Sequence, residues 1–259
     1  MQTAGDTSGI VRTDHADAPG VVTLRINRPH VKNALGPADL QALDRHLLDC
    51  QLDPEVAAVI VTGTGDAFCA GADLKQMNAR SPQDRARGGE TATDLMTRIV
   101  TMPKIVIAAL NGASAGLGNH IALCSDLCIA KEGAALHFTG AIKGIPSMQM
   151  GALVLPMVMG LKRAKSLLLR GGRVPAERAV ELGICNEVVE AGRWDAALAA
   201  LAAEFSGRHA PTLAHNKFQL NQFAYQMIGA LKLSSLAGAM HFAASGELQT
   251  GRVEYGAQA

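Results

Sequence analysis

The sequence predicts an α/β fold with a helical C-terminal region, and three observations support this prediction. Short apolar segments rich in β-branched residues recur through the first half of the chain, as is typical of strands. Between them lie segments whose apolar residues repeat at helical spacing. From Gly151 onward the pattern is mostly helical, with one strand-like segment at Ile184–Val189. Strands that alternate with helices favour a sheet covered by helices, to which the C-terminal helices are added.

The first elements follow a polar lead-in, residues 1–18, which we expect to be poorly ordered. Gly20–Ile26 alternates in polarity and is rich in β-branched residues, which predicts a strand. A helix is predicted from Pro37, because proline suits the first turn and apolar residues follow at helical spacing. Ala57–Gly63 is apolar almost throughout, as expected of a strand that is buried on both faces.

The alternation continues through the middle of the chain. Ser81–Met102 is predicted to be helical, and Lys104–Leu110 is predicted to be a strand that leads into a glycine-rich turn. After a helix of about two turns, Leu127–Ala130 is predicted to be a short strand. Helical patterns at Trp194–Phe205 and from Thr212 to Gln249 complete the chain.

A length of 259 residues suits one large α/β unit with an appendage. We expect a flexible lead-in at residues 1–18, a core at residues 19–205 and a C-terminal helical region at residues 206–259. Charged residues make up 18% of the chain, below the roughly 25% of an average soluble domain. Since no apolar stretch is long enough to cross a bilayer, this shortfall suggests that apolar surface is buried between subunits.

Charge and cysteine content argue against several classes of protein. The formal net charge of +1 is not that of a nucleic-acid-binding or polybasic membrane-binding surface. The five cysteines show no C-x-x-C spacing, so neither a disulfide framework nor a zinc cluster is predicted. The N-terminal segment lacks the pattern of a secretory signal. We therefore expect a cytoplasmic protein with reduced thiols and no bound metal.

The glycine-rich turn Asn111–Gly118 allows two catalytic interpretations. Its glycines resemble the dinucleotide-binding turn of short-chain dehydrogenases, but those enzymes also need a Tyr-x-x-x-Lys, and neither Tyr225 nor Tyr255 has a lysine four residues on. The Gly-x-Ser114-x-Gly pattern also matches the nucleophile elbow of serine hydrolases. That interpretation needs a late histidine on a loop, whereas His241 lies in a helical pattern. A third interpretation is a tight turn with no catalytic role.

A second segment, Ala67–Met77, decides between these interpretations. Its Phe-Cys-Ala-Gly-Ala-Asp-Leu-Lys-Gln-Met pattern follows a strand that ends in Thr-Gly, and the Ile-Ala-Ala-Leu-Asn-Gly strand and turn come about forty residues later. Together the two segments resemble the enoyl-CoA hydratase/isomerase (crotonase) superfamily. The resemblance covers about residues 18–250 and includes further matches. These are Asn27-Arg-Pro, Asn33-Ala-Leu, Ser125–Ala130 and Gly171–Val189.

The resemblance implies a crotonase-type ββα spiral core with a C-terminal helical trimerisation region. It also implies an acyl-CoA thioester substrate and a homotrimer or a dimer of trimers, with CoA carried by the substrate and no other cofactor. Two backbone N–H groups, those of Ala72 and Leu117 here, would stabilise the negative charge on the thioester oxygen. Contacts to CoA carry over to Ala70, Asp73 and Leu74, with Lys32 and Lys75 near the phosphates. Either lysine is equally well explained as a solvated surface charge.

The chain departs from the family pattern at the two glutamates that activate water in hydratases. The first position is His120 and the second is Gly140, and no Asp or Glu lies between Gly133 and Pro175. A histidine at position 120 is a candidate base, with His137 as a second candidate. Since His120 lies in a first helical turn, the helix dipole would disfavour its imidazolium form. We therefore expect an isomerase, C–C hydrolase or decarboxylase rather than an efficient hydratase; the alternative is a non-catalytic acyl-CoA-binding protein.

Overall fold

The computed structural model describes residues 9–147 and 149–244, and a six-stranded sheet forms its larger layer. Neighbouring strands are parallel except for the first pair, which is antiparallel. The strands are, in spatial order, β1 (Ile10–Asp14), β2 (Val21–Ile26), β3 (Ala58–Gly63), β5 (Ile105–Leu110), β7 (Leu127–Lys131) and β10 (Glu187–Val189).

A smaller four-stranded sheet lies against this layer. Its strands have only three or four residues each, too few for a pattern of alternation to be recognised in the sequence. The first three strands are parallel and the last is antiparallel to its neighbour. In spatial order they are β4 (Ala67–Cys69), β6 (Ala113–Ala115), β8 (Ala135–Phe138) and β9 (Gly172–Pro175).

The helices cover the sheets and then form the C-terminal region. The first eight are α1 (Pro37–Leu52), α2 (Leu74–Asn78), α3 (Pro82–Thr101), α4 (Leu117–Cys124), α5 (Gly140–Lys143), α6 (Gln149–Met159), α7 (Leu161–Arg170) and α8 (Ala176–Glu181). Three more follow, α9 (Trp194–Phe205), α10 (Ala210–Leu220) and α11 (Gln222–Ala244). No helix in the described ranges is long and apolar enough to cross a membrane.

The central strand β3 shows why the main sheet is covered on both faces. All six of its residues are buried. Val59 and Val61 belong to a core shared with α1, α3 and α4, whereas Ala58 and Ile60 belong to a second core that contains Trp194 of α9. Successive side chains of a strand point to opposite faces, so a strand between two apolar layers must be apolar throughout. The predicted α/β fold class is confirmed.

The structure differs from the sequence-based expectation at the N-terminus. Ile10–Asp14, within the expected lead-in at residues 1–18, form the edge strand β1 in register with β2. Ile10 is buried in the main core, and Asn27 N donates to Gly9 O at 2.6 Å. An edge strand with one face in solvent needs few apolar residues. The composition of this segment therefore resembled that of a disordered lead-in.

A buried lysine ties the C-terminal helices to the main sheet. Lys217 of α10 donates hydrogen bonds to Ile99 O at 2.7 Å, Lys104 O at 2.9 Å and Asp126 Oδ2 at 2.7 Å. Burial lowers the pKa of Lys217 and raises that of Asp126, and the ion pair offsets part of both changes. The pair therefore positions α10 against the ends of α3 and β5, as expected of a structural role for Asp126.

Candidate active site

Two loops meet at the carboxyl end of the smaller sheet. Because β4 and β6 are parallel neighbours, their following residues emerge at the same edge. Gly71 has a φ of +98° and Gly116 a φ of +50°, conformations that favour glycine. A Cβ atom added at Gly71 would lie 3.0 Å from Ala115 O and 3.3 Å from Leu117 N. Glycine at position 71 therefore allows the backbone at Gly71–Ala72 to approach the start of α4.

The backbone around Ala72 turns its N–H away from the neighbouring chain segment. Leu35 N donates to Gly71 O at 2.8 Å, and Asp73 N donates to Leu35 O at 2.9 Å. In this parallel bridge the intervening Ala72 N–H points to the opposite side. Leu117 is the first residue of α4, so its N–H has no acceptor within the helix. Neither amide donates to any acceptor in the described residues, and both residues line one cavity.

This cavity has a volume of about 530 Å³. Its wall is mostly apolar, as is usual for small-molecule sites, and the polar groups are few. The two loops form one side, α3 another, and the segment from Phe138 to Ser147 a third. Two preorganised N–H donors at one point of an apolar cavity, next to the positive end of a helix, can stabilise an oxyanion.

His120 lies one turn along α4 from Leu117 and also lines the cavity. Its Nδ1 is buried without a hydrogen-bond partner in the described residues. A Cβ atom added at Gly151 of α6 would lie 2.2 Å from Nδ1, so the ring packs directly on the backbone of that glycine. Since Nδ1 faces α6, Nε2 is the nitrogen available to the cavity. Glycine at position 151 is thus required for this orientation of the ring.

Burial lowers the pKa of His120 to about 4. This low pKa supports the neutral imidazole expected from the sequence. The pKa is lowered by loss of water around the ring, whereas the sequence suggested the helix dipole as the cause. At neutral pH the ring carries no charge, and Nε2 either accepts or donates a hydrogen bond according to its tautomer. A neutral imidazole that lines the same cavity as the Ala72 and Leu117 amides is a base that needs no prior deprotonation.

The same low pKa predicts a pH-dependent loss of stability. As the pH falls below the ordinary histidine value of 6.5, the unfolded chain takes up a proton at His120 and the folded chain does not, until the folded pKa is reached. Between about pH 7.5 and about pH 4.5 the wild type should lose about 2–3 kcal/mol more unfolding free energy than His120→Gln. Urea unfolding of both proteins at both pH values, at one protein concentration, measures this difference. Equal losses would show that His120 titrates normally.

The other candidate positions line the same cavity. His137 on β8 is partly buried, and burial, with a smaller effect of Arg173, lowers its pKa. Asn119 of α4 donates from Nδ2 to His137 O at 2.9 Å, which joins this wall to α4. Gly140 lies on the wall at the start of α5. The structure therefore brings His120, His137 and Gly140 around one cavity.

Two residues of the cavity wall carry no sequence signal that would have identified them. Asp84 and Arg85 lie in the first turn of α3 and both line the cavity. Among the described lining residues Asp84 is the only carboxylate. Its Oδ2 accepts a hydrogen bond from Ser81 Oγ at 2.7 Å, and its Oδ1 lies 3.6 Å from Arg87 Nη1. From the sequence these residues were simply the start of a predicted helix.

Of the residues expected to contact CoA, some line the cavity and the others do not. Ala70 and Leu74 line the cavity, at its edge near Ala72. Asp73 instead caps α2, accepting from Gln76 N at 3.2 Å, and its Oδ2 lies 3.3 Å from Arg28 Nη1. Its side chain therefore holds the Gly71–Ala72 loop in place. The two lysines are on the surface.

Those two lysines, Lys32 and Lys75, are exposed and are not among the described residues that line the cavity. Lys32 forms an exposed ion pair with Asp66 at 2.5 Å. An exposed pair of this kind contributes little to stability, so it can be exchanged for a phosphate at small cost. Their contacts with CoA stay predictions.

Ser114 is fully buried in β6 and is not among the described lining residues. Its Oγ has no hydrogen-bond partner in the described residues, so no base activates it. We expect a fluorophosphonate probe to leave the protein unlabelled, as read by intact-mass spectrometry. Stoichiometric labelling that disappears in Ser114→Ala would instead support the serine hydrolase interpretation.

Comparison with known proteins points to one family. Residues 17–223 match the Enoyl-CoA hydratase/isomerase family. The chain is 34% identical over 195 residues to a putative enoyl-CoA hydratase of Thermus thermophilus, covering 74% of this chain and 76% of that protein. It is 33% identical over 175 residues to the 1,2-epoxyphenylacetyl-CoA isomerase of Escherichia coli, covering 66% and 67%. The crystal structure of an enoyl-CoA hydratase/isomerase from Mycobacterium paratuberculosis superposes with a TM-score of 0.85 at 25% identity, covering 92% and 95% of the two chains.

Proposed function

Because the chain belongs to the enoyl-CoA hydratase/isomerase family, we propose that it is an enzyme that binds an acyl-CoA thioester and stabilises the enolate or oxyanion formed from its carbonyl. The observation that carries this proposal is the pair of Ala72 and Leu117 amides, which line one cavity without an acceptor in the described residues. A thioester carbonyl placed between them supplies that acceptor. The developing negative charge then strengthens both hydrogen bonds.

His120 is the proposed base. With the carbonyl oxygen at the two amides, a substrate α-carbon beside Nε2 can lose its proton to the ring. The imidazolium so formed is costly in the empty cavity, because burial lowers the pKa of His120 to about 4. In the complex the enolate lies nearby, and the attraction between the two opposite charges in an apolar cavity offsets that cost. The proton can then return to another carbon of the conjugated acyl group.

The proposed reaction is isomerisation, C–C hydrolysis or decarboxylation rather than efficient hydration. Addition of water needs one group to deprotonate the water and another to protonate the α-carbon. His120 and Gly140 occupy the two positions that carry glutamates in the hydratase pattern. Asp84 is the remaining carboxylate among the described lining residues; its Oδ2 accepts a hydrogen bond from Ser81 Oγ, and its Oδ1 lies 3.6 Å from Arg87 Nη1. This arrangement favours a reaction driven by one neutral base and an oxyanion site.

An oligomer, a trimer or a dimer of trimers, is part of the proposal. Large apolar side chains are exposed on the helices of the second half of the chain, as expected when another subunit covers them. Examples are Met157, Leu161, Leu220 and Leu233.

Ligand choice tests the proposed function directly. We expect titration calorimetry to show binding of at least one acyl-CoA and no heat from NAD⁺ or NADH. The physical reason is that the two amides and the start of α4 suit one carbonyl oxygen, whereas Gly118 packs directly on the backbone of Cys69: a Cβ atom at Gly118 would lie 2.3 Å from Cys69 O. Tight nicotinamide binding with no response to a panel of acyl-CoAs would contradict the proposal. Binding without turnover of any panel member would identify a non-catalytic acyl-CoA-binding protein.

A further inference from the structure

The Ala72 amide lies in a short bridge outside both sheets. Leu35 and Ala72 form this isolated parallel bridge, in which Leu35 N donates to Gly71 O and Asp73 N donates to Leu35 O. Two hydrogen bonds hold a backbone less firmly than the continuous ladder of a strand inside a sheet. The direction of the Ala72 N–H therefore depends on the contacts that hold the two segments together at the bridge.

The segment that pairs with Ala72 follows two residues in an uncommon backbone conformation. Lys32 has a φ of +53° and Asn33 a φ of +58°, in the left-handed region that few residues other than glycine adopt. Lys32 O accepts a hydrogen bond from Ala70 N at 3.0 Å. Asn33 Oδ1 accepts from Arg28 N at 2.9 Å, and its Nδ2 donates to Ala67 O at 2.7 Å. Such a conformation persists only where the surrounding contacts determine it.

The guanidinium of Arg28 contacts both sides of the bridge. Its Nη1 donates to the carbonyl oxygen of Ala34, the residue before Leu35. The same Nη1 lies 3.3 Å from Oδ2 of Asp73, the residue after Ala72, and Nη2 lies 3.4 Å from that oxygen. One planar group thus joins the neighbours of both bridge partners. A guanidinium suits this position because its N–H donors are fixed relative to one another.

The guanidinium is itself held in place. Arg28 Nη1 lies 3.1 Å from Asp39 Oδ2, and the side chains of Arg28, Asp39 and Asp73 are all mostly buried. Asp39 also accepts hydrogen bonds from Gly9 N at 2.7 Å and Gly36 N at 2.8 Å. A Cβ atom added at Gly9 would lie 2.3 Å from Arg28 Cγ, so the backbone before β1 packs on the arginine. Removing this cation would leave two buried carboxylates without their counter-ion.

We propose that Arg28 is a positioning residue of the oxyanion site, which directs the Ala72 N–H towards the substrate carbonyl by holding Ala34 and Asp73 on either side of the bridge. The inference rests on the proposed function, because it assumes that a thioester oxygen binds to this amide. Arg28 is not among the described residues that line the cavity, so it acts through the backbone. The effect is large because a hydrogen bond weakens steeply when its donor is displaced or turned.

Infrared spectroscopy of a bound thioester tests this role. The probe is crotonyl-CoA labelled with ¹³C at the thioester carbonyl. In the wild type we expect its C=O band to move to lower wavenumber on binding, because two N–H donors polarise the bond. Arg28→Met should lose a large part of this shift. It should also lower kcat for the thioester that the wild type converts fastest by about 10- to 100-fold, the usual cost of a small misplacement. The affinity should change little, because the Leu117 amide and the apolar wall remain. Arg28→Lys should give an intermediate shift, since an ammonium keeps the charge without the paired donors.

The matched control is Arg98→Met. Arg98 forms a similarly half-buried pair with Asp44, with Nε donating to Oδ1 at 2.7 Å and Nη2 donating to Oδ2 at 3.1 Å. This variant should lose thermal stability as Arg28→Met does, but it should keep the carbonyl shift and the kcat of the wild type. A wild-type shift and kcat in Arg28→Met, or equal losses in Arg98→Met, overturn the inference. Should Arg28→Met fail to fold, an unchanged shift in Arg28→Lys overturns it. Absence of any carbonyl shift in the wild type would instead contradict the proposed function itself.

Discussion

His120→Gln is expected to lower turnover of the true substrate by at least about 10²–10⁴-fold, the usual contribution of a general base, with acyl-CoA affinity nearly unchanged. Glutamine is polar and close to histidine in size, but it cannot take up a proton. The binding energy should persist because the Ala72 and Leu117 amides and the apolar cavity wall remain. The loss should therefore fall on kcat and leave KM largely unaffected, provided that chemistry limits turnover.

Single-turnover kinetics and calorimetry on the same preparation separate these quantities. His137→Gln is the matched control, since His137 lines the same cavity on another wall and is less buried. It should retain most of the turnover. If His137→Gln is inactive and His120→Gln is not, the base is His137. Unchanged turnover in both variants would remove histidine from the mechanism.

Crotonyl-CoA gives a companion measurement on the wild type. Because we propose that His120 and Gly140 occupy the two glutamate positions of hydratases, hydration should be slower than in a member with both glutamates by several orders of magnitude, about 10²–10⁴-fold for each missing group. Fast hydration would show that another group, such as Asp84, activates water. Asp84→Asn would then identify it.

The second large effect concerns the oxyanion donor. Leu117→Pro should lower kcat by about 10²–10³-fold, because it removes one of the two N–H groups that we propose to contact the oxyanion. Position 117 is the first residue of α4, where proline fits the helical φ and removes no helical hydrogen bond. Proline disfavours the α conformation in the residue that precedes it. Gly116, which precedes position 117, has φ +50° and ψ −116°, a glycine conformation that lies outside the α region. The change is therefore close to a deletion of a single donor.

Leu117→Ala is the matched control for that variant. It removes the apolar side chain and keeps the N–H, so kcat should change far less than in Leu117→Pro. Circular dichroism and thermal unfolding establish that α4 remains folded in both variants. Equal losses of kcat in the two variants would assign the effect to the side chain and would contradict a catalytic role for the amide.

Long apolar elements and the glycine-rich motif could be predicted from the sequence. The strand at Ala58–Gly63 and the helix from Pro37 were predicted within a residue or two. Burial on both faces leaves a continuous apolar run in the strand, and burial on one face leaves apolar residues at helical spacing in the helix. The strands of the smaller sheet were not predicted, since three or four residues are too short to show a period. Ala72 and Leu117, which were named from the motif segments, line one cavity in the structure, and glycines are required where their two loops approach each other.

By itself the sequence determined the α/β class and the family pattern, both of which depend on residue identity along short segments. Tertiary structure alone decided the environment of each group. Gly151 lies 31 residues beyond His120, yet its backbone buries Nδ1 and turns Nε2 to the cavity. Arg85 joins the cavity wall because α3 packs against α4. Burial and the resulting pKa shifts arise from contacts between distant segments, which no local pattern encodes.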